Sequence, residues 1–133
     1  MANILIIDDD PEIINLLQQA LFCYSHLVLS ACHGREGLAF LKDNHVDVVI
    51  TDIIMPEADG FEVLLEIICM KPRPVVIVMT GGSERLNAED LMNIASLMGV
   101  EKVLRKPFDL NEVLDVINSL TVVPYKCVET TSI

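Results

Sequence analysis

Five short apolar runs alternate with stretches of helical periodicity along this chain. Four of them, Asn3-Ile4-Leu5-Ile6-Ile7, Val46-Asp47-Val48-Val49-Ile50-Thr51, Val75-Val76-Ile77-Val78-Met79 and Lys102-Val103-Leu104, are rich in β-branched residues. They read as buried rather than half-exposed strands. His26 to Ala31 reads as a further strand. Repeated strand–helix alternation predicts an α/β fold, a parallel sheet with helices on both faces. Ligands of such sheets bind outside the carboxyl ends of the strands. Asp8 and Asp9, Asp52, Thr80 and Lys106 all fall at those ends.

Helix signals fill the intervals. Asp10-Pro11-Glu12 supplies a cap, a first-turn proline and an acid, opening a helix expected to bury Ile13, Leu17, Ala20 and Leu21. Gly34 to Asp43 reads as a second helix with Leu38 and Leu41 inward. Asp59 with Glu62 has capping-box spacing for a helix to about Met70, ended by Lys71-Pro72-Arg73-Pro74. Thr80-Gly81-Gly82-Ser83 reads as a flexible loop, and Asn87 as the cap of a helix burying Leu91, Ile94, Ala95 and Met98 and terminated by Gly99. Asp109 and Glu112 form another capping box before a last helix burying Leu110, Val113, Leu114 and Ile117. Residues 121–133 read as a tail.

Size and charge narrow the function. A chain of 133 residues is expected to form one domain, so any output must come from that domain itself. No apolar stretch reaches the roughly 18 residues of a membrane span, and Met1 runs into a strand without a signal-peptide pattern. A soluble, cytoplasmic protein with no membrane contact is expected. The formal charge of −11 disfavours nucleic acid as a partner, because that binding rests on Lys and Arg neutralising phosphates. Cys23, Cys32, Cys69 and Cys127 lack paired metal spacing; three sit in apolar helical or strand contexts and read as small core residues. His26, His33 and His45 are scattered near element ends, with no second ligand pair beside Cys32-His33.

Three carboxylates converging at one pocket repel one another and attract a hard divalent cation, of which Mg²⁺ is the natural choice. Asp52 would then be the nucleophile, forming an acyl phosphate while Asp9 holds the metal and Lys106 supplies a fixed cation. Thr80 would donate its hydroxyl to a phosphoryl oxygen, as a sensor. Singly, each has an ordinary alternative: a strand end, a solvated lysine, a helix cap. Their joint placement at one sheet edge is what points to a phosphorylation site.

Ile-Leu-Ile-Ile-Asp-Asp-Asp-Pro (4–11), Asp-Val-Val-Ile-Thr-Asp-Ile-Ile-Met-Pro-Glu-Ala-Asp-Gly-Phe-Glu (47–62), Val-Val-Ile-Val-Met-Thr (75–80) and Lys-Pro-Phe (106–108) resemble the response-regulator receiver domain of two-component signalling, in its stand-alone, single-domain form. The resemblance covers residues 3 to about 120. It implies a flavodoxin-like, doubly wound five-stranded sheet of order 2-1-3-4-5 with five helices, and a receiver domain over 1–120. It further implies Asp52 as phosphoacceptor, Asp8 and Asp9 as the acidic pair, Thr80 as switch hydroxyl, Lys106 as phosphate contact, the Ile54 main-chain carbonyl as a metal ligand, and a cis Lys106-Pro107 bond. Partners implied are a sensor histidine kinase or histidine phosphotransfer protein and a downstream protein target. Such a target would meet the face of the fourth helix, fifth strand and fifth helix.

Two departures matter. Val103 stands where receivers usually carry an aromatic, and the segment from Gly81 to Asp90 is long and glycine-rich. Switching is therefore expected through reordering of the Gly81 to Asn87 loop and the helix after it. A haloacid-dehalogenase-type phosphatase would need an acid where Ile54 stands, and no phosphate-binding glycine loop with Lys-Ser or Lys-Thr follows the first strand. A pseudo-receiver that never takes phosphate is the alternative that Val103 keeps open. The chain is not expected to be an enzyme beyond its own phosphorylation and dephosphorylation. Oligomeric state is open, since no self-complementary patch is visible in the sequence.

Overall fold

The computed structural model describes residues 2–53, 60–80, 93 and 96–120. Strands β1 (Asn3–Ile7), β2 (Leu27–Ala31), β3 (Val48–Asp52), β4 (Val75–Thr80) and β5 (Lys102–Arg105) form one parallel sheet in the order β2-β1-β3-β4-β5. This is the flavodoxin-like arrangement and order expected. Helices α1 (Pro11–Cys23), α2 (Gly34–Asp43) and α3 (Gly60–Ile68) and a last helix (Leu110–Leu120) are described. The helix expected from Asn87 lies mostly outside the described residues, although Gly99 does take a left-handed φ of 86° near its end.

Strand alternation divides the core in two. Ile4, Ile6, Val48, Ile50, Ile77 and Met79 point to one face, where Leu17 and Leu21 of α1 and Val113, Leu114 and Ile117 of the last helix cover them. Leu5, Ile7, Val49, Val76 and Val78 point to the other, beneath Leu41 of α2 and Val63, Leu64 and Ile67 of α3. Residues Ile13, Ala20, Leu38 and Leu110, expected inside, are only half-buried because each sits at the flank of its helix stripe. Gly37 lies against β1 so closely that a Cβ would overlap Ile7 Cδ1, and Ile7 is fully buried and has nowhere to go.

The helix starts follow their capping residues. The Asp10 side chain accepts from Glu12 N at 2.9 Å. At the last helix Asp109 Oδ1 accepts from Asn111 N at 2.9 Å while Glu112 Oε1 accepts from Asp109 N at 3.1 Å. Asp59, the expected cap of α3, lies outside the described residues. At α2 the cap is His33, whose Nδ1 accepts from Glu36 N, while Glu36 Oε1 accepts from Cys32 N at 2.7 Å. His33 thus stands where Ser or Thr would in a capping box, and the acid three residues on was the readable sign.

Two expectations fail. Cys23, Cys32 and Cys69 are free and exposed, not core residues; each falls at or just beyond the end of its element, past the buried stripe. Cys127 lies outside the described residues. Strand β5 is not buried: Lys102 and Arg105 are exposed and only Leu104 is fully enclosed, because β5 is a sheet edge paired with β4 alone.

Candidate functional site

Sheet order decides which strand ends meet. β1, β3 and β4 are adjacent, so Asp8 just past β1, Asp52 closing β3 and Thr80 closing β4 stand side by side at the carboxyl edge. Lys106 follows β5 directly, and its main-chain N–H donates to the Thr80 carbonyl at 2.8 Å. That bond extends the β4–β5 ladder by one residue and turns the lysine toward the centre. The Lys106-Pro107 bond is cis.

Asp8 is held on three sides. Its main-chain N–H donates to the Ala31 carbonyl at the end of β2 (3.1 Å), its Oδ1 accepts from the Asp10 N–H (2.9 Å), and its Oδ2 accepts from Lys106 Nζ (3.0 Å). Lys106 Nζ also donates to Asp52 Oδ2 at 2.8 Å. One ammonium therefore bridges two carboxylates, both almost fully shielded from solvent. Burial pushes the Asp8 carboxyl above the ordinary carboxylate range, the Asp10 N–H and Lys106 oppose that, and Asp52 adds repulsion. For Lys106, burial works to release the proton, but the contacts to Asp52 and Asp8 outweigh it and hold the group above its usual value. The lysine stays charged at neutral pH.

Asp9 completes the acidic set from the exposed side. Carboxylate oxygens of Asp8, Asp9 and Asp52 all lie within 4.8 Å of one another. Hard oxygen donors at that spacing, with one open to solvent, fit a small divalent cation such as Mg²⁺, which keeps several of its waters. The Ile54 carbonyl, the other expected ligand, lies outside the described residues, as does the Gly81 to Asp90 loop. Thr80 is fully buried, and its Oγ1 has no hydrogen-bond partner among the described residues. A buried hydroxyl left unpaired costs about 1–3 kcal/mol, and among the described residues nothing at the end of β4 meets this one. Val103, half-buried, packs against the core between sheet and helices.

All of Asp8, Asp9, Asp52, Thr80 and Lys106 thus converge at one edge. The sequence did not reveal the backbone groups that aim them, Ala31 C=O and Asp10 N–H, because neither depends on its own side chain.

The sequence profile of the Response regulator receiver domain matches residues 4–118. Among curated proteins, the chain is similar to the transcriptional regulatory protein GlrR of Escherichia coli, with 36% identity over 81% of this chain and 23% of that protein. It is similar also to the transcriptional regulatory protein CpxR of Klebsiella pneumoniae, with 34% identity over 86% of this chain and 47% of that protein. The chain thus spans from under a quarter to about half the length of these relatives. Among solved structures, a response regulator receiver domain protein from Clostridium thermocellum superposes with a TM-score of 0.80 at 34% identity, covering 90% of this chain and 94% of that one. The response regulator TrrA of Thermotoga maritima, solved in complex with Mg²⁺-BeF, gives a TM-score of 0.77 at 28% identity over 90% and 99% of the two chains.

Proposed function

The chain belongs to the response regulator receiver family, and on that footing we propose that it accepts a phosphoryl group on Asp52 from a histidine kinase or histidine phosphotransfer protein and thereby switches protein–protein contacts. The observation that carries this reading is the Lys106 ammonium bridging Asp8 and Asp52 at the strand ends, next to a buried Thr80 whose hydroxyl has no partner among the described residues. In the transfer, an Asp52 carboxylate oxygen bonds to phosphorus as the phosphorus–nitrogen bond of the donor phosphohistidine breaks. The imidazole nitrogen leaves with the electron pair and takes a proton. Lys106 neutralises charge on the transferring group, and Thr80 donates its O–H to a phosphoryl oxygen. Asp8, Asp9 and Asp52, with the Ile54 carbonyl, would hold Mg²⁺, which supplies charge neutralisation at the phosphoryl oxygens.

The chemistry is confined to the domain's own phosphorylation and the later hydrolysis of its acyl phosphate. It needs no nucleic acid, and a cytoplasmic kinase partner and protein target fit the acidic surface. No described helix is long and apolar enough to cross a membrane. A stand-alone mode of action predicts that the 133-residue chain alone changes its affinity for a target on phosphorylation.

Incubation with acetyl phosphate and Mg²⁺ followed by intact-mass measurement tests the core of the proposal. Wild type should gain one phosphoryl group, and Asp52→Asn and the metal-free control should gain none. No gain in wild type, from acetyl phosphate or from a phosphohistidine donor, would overturn it in favour of a phosphorylation-independent interaction module.

A further inference from the structure

From Ile13 to Gly34 the chain contains no Asp, Glu, Lys or Arg, although its formal net charge is −11. The fold gathers this stretch on one flank, comprising most of α1 and all of β2. Exposed apolar side chains concentrate there: Phe22 is 76% exposed, and Tyr24 and Leu27 are each 55% exposed. A shallow groove of about 370 Å³ runs between helix and strand, lined by Gln18, Gln19, Phe22, Leu27 and Val28.

Strand β2 is also a sheet edge, paired only with β1. The Leu27 N–H donates to the Ala2 carbonyl and the Ala31 carbonyl accepts from Asp8, so the main-chain groups of Leu27, Leu29 and Ala31 face inward. Alternation sends those of Val28 and Ser30 outward, where no described residue meets them. Folded proteins guard such edges with lysines, prolines or covering segments. The sequence Leu27-Val28-Leu29-Ser30-Ala31 has no charge and no proline, and among the described residues nothing covers it.

We propose that this edge, with the adjoining Phe22–Leu27 groove, is the interface for a second copy of this chain. The two β2 strands pair antiparallel about a two-fold axis at Leu29, and the two sheets become one. Val28 and Ser30 lie symmetrically about Leu29, so in that register each meets the other on the opposing chain and every outward N–H and C=O finds a partner. Charge selects the occupant. A patch without fixed charge offers little to a charged target, whereas two chains of −11 approaching here bring together the Ile13–Gly34 stretches, which carry no Asp, Glu, Lys or Arg. The interface lies at the opposite sheet edge from β5 and does not rest on the phosphoryl reading.

Analytical ultracentrifugation of the whole chain, without Mg²⁺ or phosphoryl donor, tests it. The average mass should rise reversibly with concentration from 14.8 kDa toward twice that value, and added salt should strengthen association by screening the net repulsion. Leu27→Lys, Phe22→Lys and Ser30→Pro should each weaken association at least tenfold. The first two alter exposed side chains and the third removes an outward N–H, so each should keep the wild-type circular dichroism. A chain monomeric at every concentration and salt, or a dimer insensitive to all three changes, would overturn the proposal. So would a dimer abolished instead by Leu97→Lys.

Discussion

The two ends of the sheet use the same residue types to opposite purposes. At the amino end, Asp47 Oδ2 accepts from the Asn3 N–H at 2.8 Å while its Oδ1 meets His45 Nε2 at 2.9 Å. Glu101 Oε1 accepts from the Val76 N–H at 2.9 Å while its Oε2 pairs with Arg73 at 2.7 Å. Each acid there closes a strand start and has its own cation or imidazole. At the carboxyl end Asp8 and Asp52 share one lysine with Asp9 beside them, and the buried Thr80 hydroxyl has no partner among the described residues. At the amino end each of these acids has its own partner, whereas at the carboxyl end two buried acids divide a single lysine between them. The difference teaches that burial of polar groups does not by itself mark a site; the mark is polar groups whose partners are each other.

Lys106→Met should expose this contrast most strongly. It leaves Asp8 and Asp52 buried without their cation, which should cost about 3 kcal/mol in metal-free buffer, with millimolar Mg²⁺ restoring much of the loss. Urea denaturation with and without Mg²⁺ reads both numbers. An unchanged midpoint in metal-free buffer would show that the carboxyl end is not under electrostatic strain. Glu101→Gln should cost less, about 1 kcal/mol, because the Val76 N–H can still meet an amide oxygen. Its stability should respond to Mg²⁺ no differently from wild type; a larger Mg²⁺ response would mean the two ends are coupled and the comparison fails.

The smallest effect concerns a buried ring nitrogen at the amino end. His26 Nδ1 accepts from the Ala2 N–H at 3.1 Å, which puts the ring proton on Nε2, a buried atom without a described partner. Burial, aided by the positive chain terminus, lowers the His26 pKa below the ordinary histidine value. The folded state therefore binds this proton less readily than the unfolded one. The associated stability is fully present above about pH 6.5 and falls as the pH drops from there through the folded-state value. His26→Gln should flatten thermal stability between pH 7 and pH 5 by an amount measurable in a melting series. An identical pH profile in the variant would assign the acid sensitivity to another group.

Much of this was readable in the residues, and the failures share a cause. The central strands announced themselves because β1, β3 and β4 are covered on both faces and so are apolar at almost every position. The five site residues were readable because strand ends in a parallel sheet converge by topology. Composition alone does not tell which strand lies outermost; that expectation rests on the resemblance, which implies the order 2-1-3-4-5. Lys102-Val103-Leu104 has the composition of an inner strand yet forms an edge. The uncharged stretch around β2 became a self-complementary flank only once the sheet order left Val28 and Ser30 facing outward. The cysteines depart from expectation because apolar neighbours in sequence are not apolar neighbours in space; Cys23 follows Phe22, which is itself largely exposed. Roles that rest on Ile54 or on the Gly81 to Asn87 loop lie outside the described residues.

The lysine bridge also fixes a sum. With Asp8, Asp9 and Asp52 ionised and Lys106 protonated, the pocket carries a net charge of minus two, the complement of one divalent cation. A bound Mg²⁺ would make it neutral, and a phosphoryl group on Asp52, replacing one negative charge with about two, would return it to near minus one. If Asp52 is phosphorylated as proposed, the domain's states would differ as steps of local charge, and a target facing this edge would meet a different potential in each.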